Sequence, residues 1–119
     1  MQKGNFSNPT ESRDLSGMGT VDIVKMDDLT VSRSTFQPGW RWSEHVKPIV
    51  GGDSCQTLHH DFVTSGRLHV RMNDGTEDEF GAGDVWVIEP GHDAWVVGDE
   101  PVVTYGFSPG AINYGKRTS

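Results

Sequence analysis

Residues 80–97, FGAGDVWVIEPGHDAWVV, constrain the fold of this chain more than any other stretch. A Gly-Asp turn feeds a short apolar run, Val85 to Ile88. A Pro-Gly corner ends that run and a second apolar run follows. Glycine supplies the positive-φ positions that such turns need and proline stops the strand, so the pattern predicts two strands joined by a β-arch.

The rest of the chain has the same punctuation. Residues 21–26 (VDIVKM) alternate apolar and polar, Asp27-Asp28 makes a turn, and residues 29–36 (LTVSRSTF) alternate again up to Gln37-Pro38-Gly39. Residues 40–46 are expected as a strand with Trp40 and Trp42 on one face and Arg41, Ser43 and His45 on the other, because side chains alternate across a strand. Residues 47–54 (KPIVGGDS) read as a loop and residues 55–65 (CQTLHHDFVTS) as a strand, possible bend included. Residues 67–72 set Leu68, Val70 and Met72 against Arg67, His69 and Arg71. Asn73-Asp74-Gly75 is expected as a hairpin turn of type I′, and residues 102–107 (VVTYGF) close the domain. No helical period of useful length occurs. Eight to ten short strands with turn signals between them indicate an all-β sandwich or barrel. Residues 1–19 are polar and aperiodic, so they are read as a flexible N-terminal arm or an extended strand in need of a partner; 20–108 form the barrel and 109–119 a C-terminal tail. The runs at 85–88 and 95–97 are apolar on both faces and need cover on both sides, for which a homodimer is the simple remedy.

A chain of 119 residues suffices for one domain with one core. The net charge of −7, with ten Lys and Arg scattered singly, argues against a nucleic-acid partner. Cys55 is the only cysteine, which excludes an intrachain disulfide and favours a reducing cytoplasm. No run has the length of an export signal or a membrane span. The expected partner is a small-molecule ligand, with no membrane involved.

Residues 80–97, taken with Gln37-Pro38-Gly39 and a glycine-ended strand between them, resemble the cupin superfamily over about residues 20–107. The stretches PGWRWSEHVKPIVGGDSC and EPGHDAWVVGDEP look like those of short single-domain bacterial cupins. That resemblance implies a small antiparallel jelly-roll barrel whose two signature stretches flank a pocket. The second signature is a Gly, five residues, Pro-x-Gly, two residues and a metal-binding His. Here Gly83 and Gly91 fit, Glu89 takes the Pro slot and Ala94 takes the His slot. The first signature is a Gly, five residues, His-x-His, then a Glu and a later Gly. Here Gly39 puts His45 in the first His slot and Lys47 in the second; counting back from Gly66 puts His59 in the Glu slot, with 48–58 containing an insertion. The resemblance therefore implies a degenerate metal site in which His45 matches, His59 is a replacement, and Lys47 and Ala94 depart.

Four side chains are candidate metal ligands: His45, His59, His92 and Cys55. Three of them converging would make an open site for one divalent ion, Zn, Fe, Ni or Mn. His92 lies two residues before the usual ligand slot, so alternation keeps it on the same face. The competing reading of His92 is a turn residue bonded to backbone. Adjacent strand residues face opposite ways, so only one of His59 and His60 looks inward. His59 shares its face with Asp61, which would place an imidazole beside a carboxylate that orients it and raises its pKa. His59, Asp61 and His45 are thus the catalytic candidates, with a structural hydrogen bond as the alternative for Asp61. Cys55 is otherwise a small buried hydrophobe with no neighbouring cation in sequence. Lys47, if in the pocket, would favour an anionic substrate; Trp40, Trp42 and Trp95 are candidate substrate-binding walls. Asp84, Asp93 and Asp99 sit where side chains cap backbone. Three functions fit these residues: an acid/base enzyme (isomerase, cyclase or lyase), a metal-dependent oxygenase, and a non-enzymatic ligand sensor.

Overall fold

The computed structural model describes residues 1–107. The expected tail at 109–119 and the last barrel residue, 108, lie outside them. The described residues form nine strands and two single-turn helices: β1 (Glu11–Asp14), β2 (Gly19–Lys25), β3 (Thr30–Phe36), α1 (Trp42–His45), α2 (Lys47–Val50), β4 (His59–Ser65), β5 (Arg67–Met72), β6 (Glu77–Gly81), β7 (Val85–Ile88), β8 (His92–Val96) and β9 (Val102–Gly106). They pair antiparallel in two sheets, ordered β1-β2-β3-β9-β4-β7 and β6-β5-β8. The fold is all-β, an antiparallel jelly-roll, as the turn pattern and the resemblance indicate. No helix among the described residues is long and apolar enough to cross a membrane.

The inner faces of the two sheets share one core, with Val21 and Ile23 from β2, Val63 from β4, Leu68 and Val70 from β5, Trp86 and Ile88 from β7, Val96 from β8 and Val102 from β9. Alternation delivers these residues strand by strand. On β3 the inward residues are Ser32, Ser34 and Phe36, so two hydroxyls enter the interior from a strand whose outer positions include Val31. Polar residues at inward positions of a central strand mark a lined cavity in place of a filled core.

Of the two readings of residues 1–19, residues 11–14 take the second: they form β1, with β2 as partner, and Leu15 beyond them is fully buried. The hairpin at 73–76 differs in type from the one expected. The amide of Gly75 donates to Met72 O and that of Met72 to Thr76 O, and Gly75 has φ +91° while Asp74 does not have positive φ. One left-handed glycine at the fourth turn position makes this a type I turn with a glycine bulge, since type I′ needs two positive-φ residues.

Residues 42–45 are helical, not the strand expected. The amide of His45 donates to Arg41 O and that of Val46 to Trp42 O, and the unpaired amide of Ser43 at the helix start is taken by Asp93 Oδ1 at 3.1 Å. Pro48 then falls in the first turn of α2, where its missing amide costs nothing. Two features the alternation count ignores thus favour helix: a carboxylate from β8 that caps α1 and a proline that suits the start of α2.

β7 is an edge strand. Trp86 and Ile88 are buried, but Val85 is 78% and Val87 62% exposed on its outer face. The cover that the doubly apolar run needs on that side is not supplied by the described part of one chain. On β8, Trp95 is half-buried by other means, described below.

One glycine is required where the chain passes from β4 to β5. Gly66 has φ +78° between β4 and β5, and a Cβ there would collide with Pro101 O and lie 2.7 Å from Val102 Cα. Gly66→Ala is expected to cost roughly 2–3 kcal/mol, strain and backbone displacement together. Gly75→Ala, which has positive φ but meets nothing within 4 Å, is expected to cost about 1 kcal/mol. Urea unfolding of the two variants measures the difference.

Candidate functional site

One cavity between the sheets gathers histidine, cysteine, aspartate and hydroxyl side chains. Its lining includes Ser32, Ser34 and Phe36 of β3, Trp40 and Trp42 around the start of α1, Cys55, His59 and Asp61 of β4, Trp86 and Ile88 of β7, His92 and Ala94 of β8, and Thr104 of β9. The cavity volume is about 30 Å³, which on the same measure holds roughly two waters at about 10–15 Å³ each.

Three donor atoms meet in it. One ligand atom from each of Cys55, His59 and His92 lies within 4.8 Å of the other two. His59 Nε2 is 3.7 Å from Cys55 Sγ, and the two imidazole rings sit edge to face at 5.2 Å. Each comes from a different element, so each placement has its own cause. His59 faces inward because β4 pairs with β7 and β9 in a register that sets Asp61 opposite both Trp86 and Gly106. His92 faces inward as the first residue of β8 after the Pro90-Gly91 corner. Cys55 is delivered by backbone: its amide donates to His92 O at 2.7 Å and its carbonyl accepts from Gly91 N at 2.7 Å.

Both imidazoles are held by their other nitrogen. His59 Nδ1 lies 3.4 Å from Asp61 Oδ2, and His92 Nδ1 lies 2.7 Å from the Glu89 carbonyl. An oxygen acceptor at Nδ1 holds a proton there, so that Nε2 is the nitrogen that carries a lone pair whenever the ring is neutral. This is how proteins orient histidine toward a metal ion or a substrate proton. The reading of His92 as a turn residue bonded to backbone and its reading as an inward donor are therefore both correct, one for each ring nitrogen. Asp61 is in turn accommodated by Gly106, where a Cβ would overlap Asp61 Oδ1 and lie 3.0 Å from Ser32 Oγ.

The site is electrostatically coupled. Burial works to raise the Cys55 thiol, but hydrogen bonds from His59 and His92 and their charges outweigh it and pull the thiol down to about 6. For His59, burial works to lower the imidazole, and Asp61 and Cys55 push it up to about 9. The expectation that Cys55 lacks a cationic neighbour is thus corrected: its neighbours are four and thirty-seven positions away along the chain and meet it only in the fold.

The remaining sequence candidates separate. Trp40 and Trp42 line the cavity as expected, from the loop and helix in place of a strand. His45 does not line it: on helix α1 its Nδ1 accepts from Arg41 N at 3.0 Å and its carbonyl accepts from Ser16 Oγ. Lys47 begins α2 and does not line it either, which removes the expected cation for an anionic substrate. Trp95 faces the other way, stacked against His69 at 4.7 Å with the Arg41 guanidinium 4.3 Å over its ring. Asp84 and Asp93 bond backbone amides, of Gly81 and Ser43 respectively. Ser32, Ser34 and Thr104 were not among the sequence candidates. The inward phase of β3 was the available signal for the two serines.

Solved structures with the same arrangement of strands settle the fold. An RmlC-like cupin from Shewanella frigidimarina superposes with a TM-score of 0.61 at 20% identity, covering 92% of this chain and 92% of that one. The chain has a cupin fold. A protein of unknown function from Rhizobium leguminosarum bv. viciae superposes with a TM-score of 0.60 at 20% identity, over 92% of this chain and 97% of that one. KdgF from a Halomonas species does so with a TM-score of 0.57 at 19% identity, over 83% of this chain and 87% of that one. No family model and no curated protein matches the chain. At these identities the cupin likeness carries the architecture, and the chemistry has to come from the site's own residues.

In metal-free protein the Cys55 thiol is expected to ionise near pH 6, because the two imidazoles favour its charged form. His59→Gln removes the first-named of those partners and is expected to return the ionisation toward the ordinary thiol range. Thiolate absorbance followed against pH reads both.

Proposed function

We propose that this cupin barrel is a small-molecule enzyme that holds one divalent transition-metal ion on Cys55, His59 and His92 and works by acid/base chemistry of the isomerase, cyclase or lyase kind. The observation that carries this reading is the pair of tied histidines: each Nδ1 is committed to an oxygen acceptor, and each ring thereby offers Nε2 toward one thiolate. In a site of purely structural histidines nothing would require both Nε2 atoms to approach the same sulfur. Two imidazoles and a thiolate suit Zn or Fe, and the thiolate makes Mn a poor occupant. Such an ion supplies Lewis acidity, polarising an oxygen of the molecule bound beside it.

The chain's own residues account for the remainder. Asp61 orients His59 through Oδ2 and, with its other oxygen close to Gly106, is the carboxylate available to take or return a proton. Trp40, Trp42, Phe36 and Trp86 exclude water from the cavity. The narrow cavity favours a compact substrate or a compact reacting end of a larger one. An oxygenase would use the same donors with a redox-active ion, and the identity of the bound metal separates the two readings: stoichiometric zinc supports acid/base chemistry and stoichiometric iron supports the oxygenase.

Metal analysis of protein purified without added metal is expected to give one ion per chain. Cys55→Ser and His92→Ala are expected to abolish it, and Asp61→Asn to weaken binding roughly 10–100-fold through loss of the carboxylate on His59. His45→Ala is expected to bind normally. Retention of the ion in both Cys55→Ser and His92→Ala would sink the assignment.

For partners, we propose a homodimer formed through the outer face of β7 and its neighbours. Val85 and Val87 are exposed there, and Phe62 stacks between Tyr105 and the half-exposed Phe107 beside them. A two-fold axis would set this patch against itself, so one apolar surface covers both copies. Light scattering is expected to give a dimer for the unmodified protein and a monomer for Val85→Lys/Val87→Lys, whose buried faces are untouched.

A further inference from the structure

Two buried hydrogen-bond donors in the cavity wall have no acceptor. Trp40 is 1% and Trp86 6% exposed, both line the cavity, and neither indole Nε1–H has a hydrogen-bond partner among the described residues. An indole can only donate, and a buried Trp normally finds an acceptor for its N–H. Unsatisfied buried donors are rare enough that each needs a reason, and two on the wall of one cavity share one. Trp86 stands opposite Asp61 in the β4–β7 register, and Trp40 is fixed by stacking on Phe36 at 4.0 Å. Neither ring is free to turn away in search of water.

We propose that the cavity binds a compact, uncharged carbonyl compound whose oxygen acceptors satisfy Trp40 and Trp86. The charge of the ligand follows from what already lines the site. The lining contains the acids Asp61 and Cys55, the histidines His59 and His92, and no Lys or Arg. With a divalent ion in place, which rests on the function proposed above, the two anionic side chains balance it. Without the ion, the lining still offers two acids and no Lys or Arg to a further anion. In both states a further buried anion lacks a partner, and an isolated buried charge is costly. The net charge of −7 over the chain adds to the bias. A neutral carbonyl offers acceptor lone pairs without that cost.

The test is a titration of ¹⁵N-labelled protein, metal-free and zinc-loaded, with acetone and with acetate, which match in heavy-atom count and differ in charge. The readout is the indole N–H resonances, assigned with Trp40→Phe and Trp86→Phe. Acetone is expected to move the Trp40 and Trp86 resonances to saturation, and acetate to bind at least about tenfold more weakly. Trp86→Phe keeps the ring and loses the donor, so it is expected to weaken acetone roughly tenfold; the shifts in unmodified protein serve where Trp40→Phe fails to fold. Indole resonances unmoved by acetone, or acetate bound more tightly than acetone, overturn the proposal. Zinc measured in the same samples separates the two ideas. Stoichiometric zinc with unmoved indoles removes the carbonyl site alone, whereas indoles that respond in protein unable to take up zinc remove the metal reading alone.

Discussion

The backbone bridge between Cys55 and the Gly91-His92 corner is the contact on which the site depends. Cys55 N donates to His92 O and Gly91 N donates to Cys55 O, both at 2.7 Å. These bonds pin an irregular segment, the one running from the end of α2 to β4, onto the start of β8. That segment has two positive-φ glycines, Gly51 and Gly52, and little secondary structure of its own. Without the bridge, Cys55 would ride on a loop held only through side-chain bonds such as that from Asn73 to Ser54. With it, a thiol is fixed beside the inward face of β8, and the same corner that turns the chain from β7 into β8 also sets the spacing between sulfur and His92. Gly91 has φ +95°, a conformation that favours glycine. A side chain there would also press on Asn73 Nδ2 at 3.0 Å, and Asn73 in turn donates to Ser54 Oγ next to Cys55. The corner, the hairpin after β5 and the segment before β4 are therefore tied at one point.

The fold was legible because its information is local. Gly83, Pro90-Gly91 and Asn73-Asp74-Gly75 each force a turn by dihedral preference alone, and strands between such turns have few ways to pair. The site was legible only where it too is local. His59 and Asp61 are two apart on one strand, so alternation puts them on one face, and the structure has them 3.4 Å apart on the cavity wall. His45 failed because the same rule was applied to residues that are helical. The cause of that helix, a cap from Asp93 fifty positions away from Ser43, is invisible in the segment itself. Trp95 is a different kind of miss, since alternation from His92 and Ala94 already turns it outward. The cation it needs to be comfortable there, Arg41, comes from another part of the chain. The lowered pKa of Cys55 could not be read at all, because it is made by two residues that meet Cys55 only after the barrel closes.

The interior shows why this barrel tolerates so polar a wall. Ser32, Ser34 and Thr104 are nearly buried, and on neighbouring strands β3 and β9 Ser34 stands opposite Thr104. Replacing them with valine-sized residues would fill the space and strengthen the core by roughly 1 kcal/mol or more per buried side chain. The core includes mid-strand residues such as Ile23, Val63 and Val70 together with the aromatic pair Phe36 and Trp40, while one part of the interior is left to hydroxyls, imidazoles and a carboxylate. A barrel of this size has one core to spend, and a polar centre is a stability cost that only a site offsets.

The departures from the cupin signature go together with the grouping of Cys55, His59 and His92. Ala94 occupies the position where the family pattern has a histidine, and it lines the cavity with a methyl group. His92, two residues earlier on the same face, reaches the same cavity from the strand's first position, tied by Nδ1 to the Glu89 carbonyl. Glu89 stands where the pattern has proline. The early donors of the pattern are lost as well: His45 points into α1 and Lys47 opens α2. Their place is taken by Cys55 from the inserted segment, which the bridge to His92 holds. A histidine restored at position 94 would share the inward face with His92 one pleat away and crowd the space that the small side chain leaves open. The small residue at 94, the shifted histidine at 92 and the bridged cysteine at 55 are therefore a single arrangement, and changing any one of them alone leaves the other two without the geometry that makes them a set.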